Sequence, residues 1–272
     1  MIPPAEIARL AHQLGLGDKT IEKDYVLTWM LLAIANSPLR ERLAFKGGTA
    51  LKKAFVPDYR FSEDLDFTLL DNITDEELNG GVEALFPWLS SEVNITMDVR
   101  RIEIHQTASL ALYLNYVGPL RGDLTSRFLK TDFTRNEVLL FPLVESPLQS
   151  PYSDCQERTE TLQVYSLEEI LAEKLCALLG RTEPRDLYDV HYLLTNRLVD
   201  AEAVSYHLSE KMAHHSLDPE GLSGVLLRKQ DVFKRLWELR LGGQMVDLQP
   251  VDAVIRETRR CLRQSGLVEQ ER

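Results

Sequence analysis

Two carboxylates and a glycine turn are the residues best placed to do chemistry. Asp64 and Asp66 lie two residues apart in SEDLDF, which reads as a β-strand. Its period of two points both carboxylates to one face, and a converging pair of this kind favours a divalent cation. Upstream, Gly47-Gly48-Thr49 reads as a turn from a short strand into a helix, where exposed backbone N–H groups suit a phosphate. Thr49 adds a hydroxyl that can reach one. Magnesium takes one or two carboxylates plus substrate phosphates. The stretch from Phe45 to Leu70 therefore predicts a metal-dependent nucleotide site.

The neighbours admit two readings each. Leu65, Phe67 and Leu69 alternate with the acids and fit a core. A buried carboxylate without a partner is costly, so Asp64 and Asp66 sit at an exposed strand end, pair with cations, or bind metal. Arg60 and Ser62 lie just upstream, and Arg60 either neutralises phosphate or pairs with Asp64. Lys52 and Lys53, taken alone, read as surface charges. Asp132, in SRFLKTDFTR, is either a third carboxylate for the metal or an ordinary strand-end aspartate.

The elements that must position these residues can be read in order. Pro3-Pro4 open a helix that Gly15 or Gly17 ends. A second helix follows, with Ile21, Tyr25, Val26, Trp29, Leu32 and Ala33 at helical spacing. Its Glu22, Lys23 and Asp24 read as a solvated first turn. Leu43 to Lys46 is a short strand into the glycine turn, and Thr49 to Phe55 a short helix. Thr74 to Glu77 form a capping box for one helix running through Val82, Leu85, Phe86 and Leu89. VNITMDVRRIEIH, SLALYLNYVGPL and SRFLKTDFTR read as antiparallel strands. Phe141 to Thr161 reads as irregular and best divides the chain, into 1–155 and 156–272.

The second half reads as helical. Ser166 to Glu169 form another capping box. Lys174 and Arg181, seven apart, share one helix face. Pro184 starts the next helix, whose Arg185, Asp186 and Asp189 read as salt-bridge partners between helices. Further helices are interrupted near Asp218-Pro219 and Gly242-Gly243. Arg228, Lys229, Lys234, Arg235 and Arg240 form one basic cluster, and Arg256, Arg259, Arg260 and Arg263 another. Such clusters hold an RNA backbone or are solvated faces.

Composition narrows the classes. The chain has 272 residues, 44 % hydrophobic and 27 % charged, as in soluble globular proteins. WMLLAIA, the most apolar run, is too short for a membrane span, and MIPPAEIARL lacks the pattern of a signal peptide. Three scattered cysteines, Cys155, Cys176 and Cys261, form neither a disulfide framework nor a zinc site, which predicts a reducing cytoplasm. A net charge of −11 argues against a protein that coats nucleic acid generally, leaving room for a local basic groove.

KGGTALKKAF, RFSEDLDFTL and SLEEILAEKLCALLGRTEPRDLYDVHYLL, with IEKDYVLTWML near the start, resemble the AbiEii/AbiGii nucleotidyltransferase toxin family, over roughly residues 20 to 200. The resemblance implies an α+β fold: a DNA polymerase β-like nucleotidyltransferase core with a mixed or antiparallel sheet, then a helical domain. It implies a toxin of a toxin–antitoxin or abortive-infection system, with nucleoside triphosphate as substrate, a cognate antitoxin as partner, and tRNA 3′ ends as acceptors for some members. Gly47, Gly48 and Thr49 match the family's glycine turn, with threonine where the wider superfamily usually carries serine. Asp64 and Asp66 match the metal-binding acids, with Asp132 the loosest fit as a third. Lys174 and Arg181 match the cations that hold the triphosphate, and Asp189 matches a later acid. Lys52 and Ser62 complete the implied nucleotide-binding set, and two magnesium ions the implied cofactor. Two other functions stay open: nucleotidyl modification of a protein side chain, which the acidic charge favours, and a catalytically inactive interaction protein, which the retained glycine turn, acid pair and Lys174 oppose.

Overall fold

The computed structural model describes residues 1–105 and 109–268. The chain forms two compact units, one of Met1–Glu137 and Leu143–Val164, the other of Val138–Pro142 and the chain from Tyr165 onward.

The first unit opens with α1 (Pro4–Leu14), which ends on Gly15 in the left-handed conformation, and α2 (Asp18–Ala35). Then come β1 (Leu43–Lys46), α3 (Gly47–Ala50) with a π turn over Leu51–Phe55, and β2 (Asp64–Leu69). Helices α4 (Asp75–Glu83) and α5 (Phe86–Val93) precede β3 (Thr96–His105), β4 (Ser109–Val117), β5 (Phe128–Thr134), β6 (Val144–Pro147) and β7 (Thr161–Val164). All seven strands form one sheet in the order β3-β4-β5-β2-β1-β7-β6. It is mixed: β2 runs parallel to β5, and β1 to β7, while the other neighbours are antiparallel. The fold is α+β, as the resemblance implied.

One face of the sheet is a packed core. Phe45, Phe67 and Phe133, from three adjacent strands, are buried with ring centroids 5.3 and 5.7 Å apart. Consecutive strands side by side place their alternate residues on this face together.

Several local expectations change in three dimensions. Glu22 and Asp24 are not a solvated turn; they are 0 % and 1 % exposed. From Ile21 to Ile34 helix α2 is buried nearly all round, so its acids take fixed partners. Glu22 accepts from the Leu120 N–H at 2.7 Å and from Arg127 at 2.5 Å. Asp24 accepts from Lys53 at 2.6 Å and from the Tyr152 hydroxyl at 2.7 Å. Lys52 and Lys53 are buried rather than surface charges. The helix expected after Thr74 is two helices. The capping box forms as read, but Pro87 lies in the first turn of α5; without an N–H it cannot continue the helical ladder. The stretch read as irregular carries β6, which pairs with β7 and extends the sheet.

The second unit contains α6 (Leu167–Gly180), α7 (Pro184–Thr195), α8 (Ala201–His214), α9 (Gly221–Arg228), α10 (Gln230–Leu241) and α11 (Val251–Gln264). Only half of its first capping box forms. Ser166 accepts from the Glu169 N–H, but the Glu169 carboxylate turns inward to Lys211 at 2.5 Å and to the N–H groups of Leu140 and Phe141. Lys211 also donates to the Val138 carbonyl at 2.9 Å. This buried pair holds the Val138–Pro142 excursion against the helices.

Candidate active site

The glycine turn is built on the end of β1. Gly47 has φ +80°, and a Cβ there would lie 2.5 Å from Asp66 Oδ2. A side chain at this position would be strained by the backbone and would collide with the carboxylate. The turn and the acid thus occupy adjoining space. Thr49 is buried, and its hydroxyl donates to the Asp64 carbonyl at 2.5 Å. The expectation for Thr49 was contact with phosphate; in the structure its hydroxyl ties the turn to the acid-bearing strand.

Strand register decides which side chains meet. Asp66 lies opposite Lys46 on one side and Asp132 on the other, and Asp64 lies opposite Lys130. Registered neighbours share a face. Lys46, Asp64, Asp66, Lys130 and Asp132 therefore stand together on the side of the sheet opposite the phenylalanine core. Asp132 accepts from Lys130 at 2.6 Å. Burial works against the Lys130 ammonium, but the hydrogen bond and charge of Asp132 hold its pKa above its ordinary value. Lys46 lies 3.9 Å from Glu137. The sequence reading missed Lys46 and Lys130; the spacing of Lys130 and Asp132, two apart on one strand, was the available signal.

Two lysines on the π turn brace this arrangement. Lys52 donates to the carbonyls of Pro57 and Tyr59 at 2.9 and 3.0 Å, and its ammonium lies 4.0 Å from the Phe61 ring centre. Burial lowers its pKa to about 8. It staples the loop that delivers Asp64, a role different from the nucleotide contact expected of it. Lys53 bonds Asp24 at 2.6 Å and Thr28 at 2.8 Å, linking the turn to α2. Ser62 is half-buried in the same loop, and the buried Arg60 donates to the Phe61 carbonyl.

In the second unit, Lys174 bonds Asp186 at 2.9 Å and Asp189 at 2.8 Å, and Arg181 reaches Asp186 at 2.7 Å. Lys174 and Arg181 do not share a helix face, because Arg181 lies beyond α6 in extended backbone; Asp186 brings them together. Burial alone would push the Asp186 carboxyl up, but the Lys174 charge and the Arg181 hydrogen bonds hold it well below the usual carboxylate range. Arg185 turns away, to Glu183 at 3.5 Å.

The first basic cluster is largely engaged in structure. Lys229 donates to the carbonyls of Leu178, Leu179 and Arg181, closing the end of α6. Lys234 pairs with Asp252 and Arg228 donates to the Gly221 carbonyl. On α11, Arg256, Arg259, Arg260 and Arg263 lie outside the buried stripe of Val254, Ile255, Thr258 and Leu262. His191 bonds Glu257 at 2.9 Å. Among the described residues no group of three or more His, Cys, Asp or Glu side chains stands ready to enclose a metal ion.

Residues 29–257 match the model of the family described as "Nucleotidyl transferase AbiEii toxin, Type IV TA system". The chain belongs to the AbiEii family. It is therefore a nucleotidyltransferase, the toxin of a type IV toxin–antitoxin system. Among solved structures, MenT4, a nucleotidyltransferase toxin of Mycobacterium tuberculosis, is similar at 19 % identity and a TM-score of 0.67, over 99 % of this chain and 91 % of that one. JHP933 of Helicobacter pylori is similar at 20 % identity and a TM-score of 0.56, over 92 % and 93 %. At these identities the likeness is one of fold. No curated protein matches the sequence.

Proposed function

We propose that this AbiEii toxin transfers a nucleotide from a nucleoside triphosphate to the 3′ end of an RNA, with tRNA as the acceptor. The observation that carries the transfer chemistry is the close approach of Gly47 to Asp66, on the face that also bears Asp64 and Asp132; the RNA acceptor follows the family resemblance. The glycine turn and Asp66 adjoin with no side chain between them.

The donor set is of the class that magnesium takes when substrate phosphates complete its shell, since the acids alone do not enclose an ion among the described residues. Asp64, Asp66 and Asp132 lie on one face of two adjacent strands, and like charges side by side are unfavourable unless offset. Lys130 offsets part of that charge through Asp132. Asp64, Asp66 and Asp132 would hold magnesium, which when bound supplies charge neutralisation for the triphosphate and acidifies the acceptor hydroxyl. The N–H groups of Gly48 and Thr49 bind phosphate oxygens at the start of α3. Lys52 and Lys53 keep the turn and the Asp64 loop in place. In the second unit, Asp186 and Asp189 orient Lys174 and Arg181, the cations that the family resemblance assigns to phosphate. No described helix is long and apolar enough to cross a membrane; the scattered free cysteines favour action in a reducing cytoplasm.

The test is incubation with each labelled triphosphate, magnesium and total cell extract, followed by separation of RNA from protein. Label at RNA 3′ ends, dependent on magnesium, is the expected result. Label in protein alone would overturn the choice of acceptor.

A further inference from the structure

The acid-bearing face of the sheet continues into a feature that the transfer chemistry does not use. Phe128 begins β5, two residues before Lys130 and four before Asp132. All three share a face, so Phe128 stands one strand repeat, about 7 Å, from the level of Asp64. Tyr113 lies opposite Lys130 on β4. The rings of Phe128 and Tyr113 are 5.7 Å apart. Phe128 is 40 % exposed, unusual for a phenylalanine in a sheet of this size.

Each ring carries an arginine. Arg100 lies 4.9 Å over Phe128, and Arg101 4.1 Å over Tyr113. Consecutive residues on a regular strand point to opposite faces. The register of β3 against β4 shifts between Val99 and Arg101, and that bulge brings both arginines to the ring side. The Tyr113 hydroxyl donates to Glu103 at 2.9 Å, which fixes the ring, and Arg101 bonds the same carboxylate at 3.0 Å. Lys23 stands 5.9 Å from Phe128 and pairs with Glu63. Arg100 differs. Its described contacts are the Phe128 ring and the Thr125 carbonyl at 3.5 Å, with no carboxylate among them.

We propose that Phe128 and Tyr113, with Arg100 and Arg101, form a stacking shelf for the unpaired nucleotides just inside the RNA 3′ end; this rests on the reading of RNA as acceptor. Bases stack on aromatic rings and on guanidinium planes alike. Arg100 is positioned to meet a backbone phosphate, while Lys23 and Arg101, each paired with a carboxylate, cover the rings. The shelf lies about one nucleotide's length from Asp64, where a terminal hydroxyl must arrive if the acids do the chemistry. It explains why two consecutive arginines are turned to one face and why a phenylalanine is left open to water.

The experiment uses the full chain, total tRNA, and an unstructured RNA of about eight nucleotides. Phe128→Ala and Arg100→Ser should each raise KM for RNA about tenfold, the loss expected for one stacked base. KM for the triphosphate should stay unchanged, and Phe128→Tyr should retain most of the affinity. If the parent chain labels RNA and both variants keep the parent KM, the shelf is wrong and the acceptor reading stands. If the parent chain labels only protein, the acceptor reading fails and the shelf with it. Ultraviolet cross-linking of the parent chain to RNA reads the same surface without substitution. Cross-links on Tyr113 or Phe128 support the shelf, and cross-links confined elsewhere overturn it.

Discussion

Asp66 Oδ2 fills the space that a Cβ on Gly47 would take, 2.5 Å from that point. The glycine is required twice, by its φ of +80° and by the carboxylate beside it. Gly47→Ala should destabilise the protein by about 1–3 kcal/mol through backbone strain. It should also displace Asp66, and a displacement of an ångström costs about a hundredfold in turnover. Activity should fall much further than the melting temperature suggests. Thermal unfolding and single-turnover kinetics on the same preparation check this; equal losses in both would reduce Gly47 to a structural glycine.

Asp64→Asn and Asp66→Asn should each abolish nucleotide transfer while leaving the fold intact, since both side chains are only half-buried on the face away from the phenylalanine core. Asp132→Asn should cost less, because Lys130 already offsets that carboxylate. Circular dichroism with a label-transfer assay reads both quantities. Full transfer by either of the first two variants would remove the metal model.

Lys53 and Asp24 are 1 % exposed each, and the second oxygen of Asp24 has no hydrogen-bond partner among the described residues. Lys53→Met should therefore strand a buried carboxylate and cost about 3–5 kcal/mol. Urea unfolding measures it. A loss under ~1 kcal/mol, the range of an exposed pair, would contradict the burial of this pair.

Lys174 pairs with two carboxylates that are buried to 1 % and 0 % exposure. Its loss leaves acids that water does not reach, so Lys174→Ala should lower stability as well as transfer. About 3–5 kcal/mol of unfolding free energy is expected. Lys174→Arg should restore part of each, because a planar fork does not replace a compact charge. Turnover falling with stability unchanged would show that the acids do not depend on Lys174.

The same cluster sets an acid limit. The carboxyl of Asp186 is held below its ordinary range in the folded state, so the folded protein binds fewer protons at this site than the unfolded chain. Its stabilisation is fully present above the unfolded value of about 4 and is lost as pH falls toward the folded value. Acid unfolding of the parent chain should steepen below about pH 4. Asp186→Asn should flatten that limb. An unchanged limb in the variant would place acid sensitivity elsewhere.

The sequence alone determined what depends on local order. The period of two in SEDLDF set Asp64 and Asp66 on one face, opposite Leu65 and Phe67, because a strand alternates whatever its neighbours are. Gly15, the Thr74 capping box and Pro184 marked helix ends that the structure keeps, since caps are satisfied within a few residues. Tertiary structure decided every property that depends on partners distant in sequence. Glu22, Asp24, Lys52 and Lys53 look like solvated charges in a linear reading. They are buried because Arg127, Tyr152 and the Asp64 loop reach them from far along the chain, and ion pairing makes burial tolerable. Lys174 and Arg181 met through Asp186 rather than along a helix, because α6 ends at Gly180. The parallel pairing of β2 with β5, which sets Asp132 beside Asp66, is fixed by sheet topology between segments far apart in sequence. No periodicity within either strand encodes which strand will lie next to it.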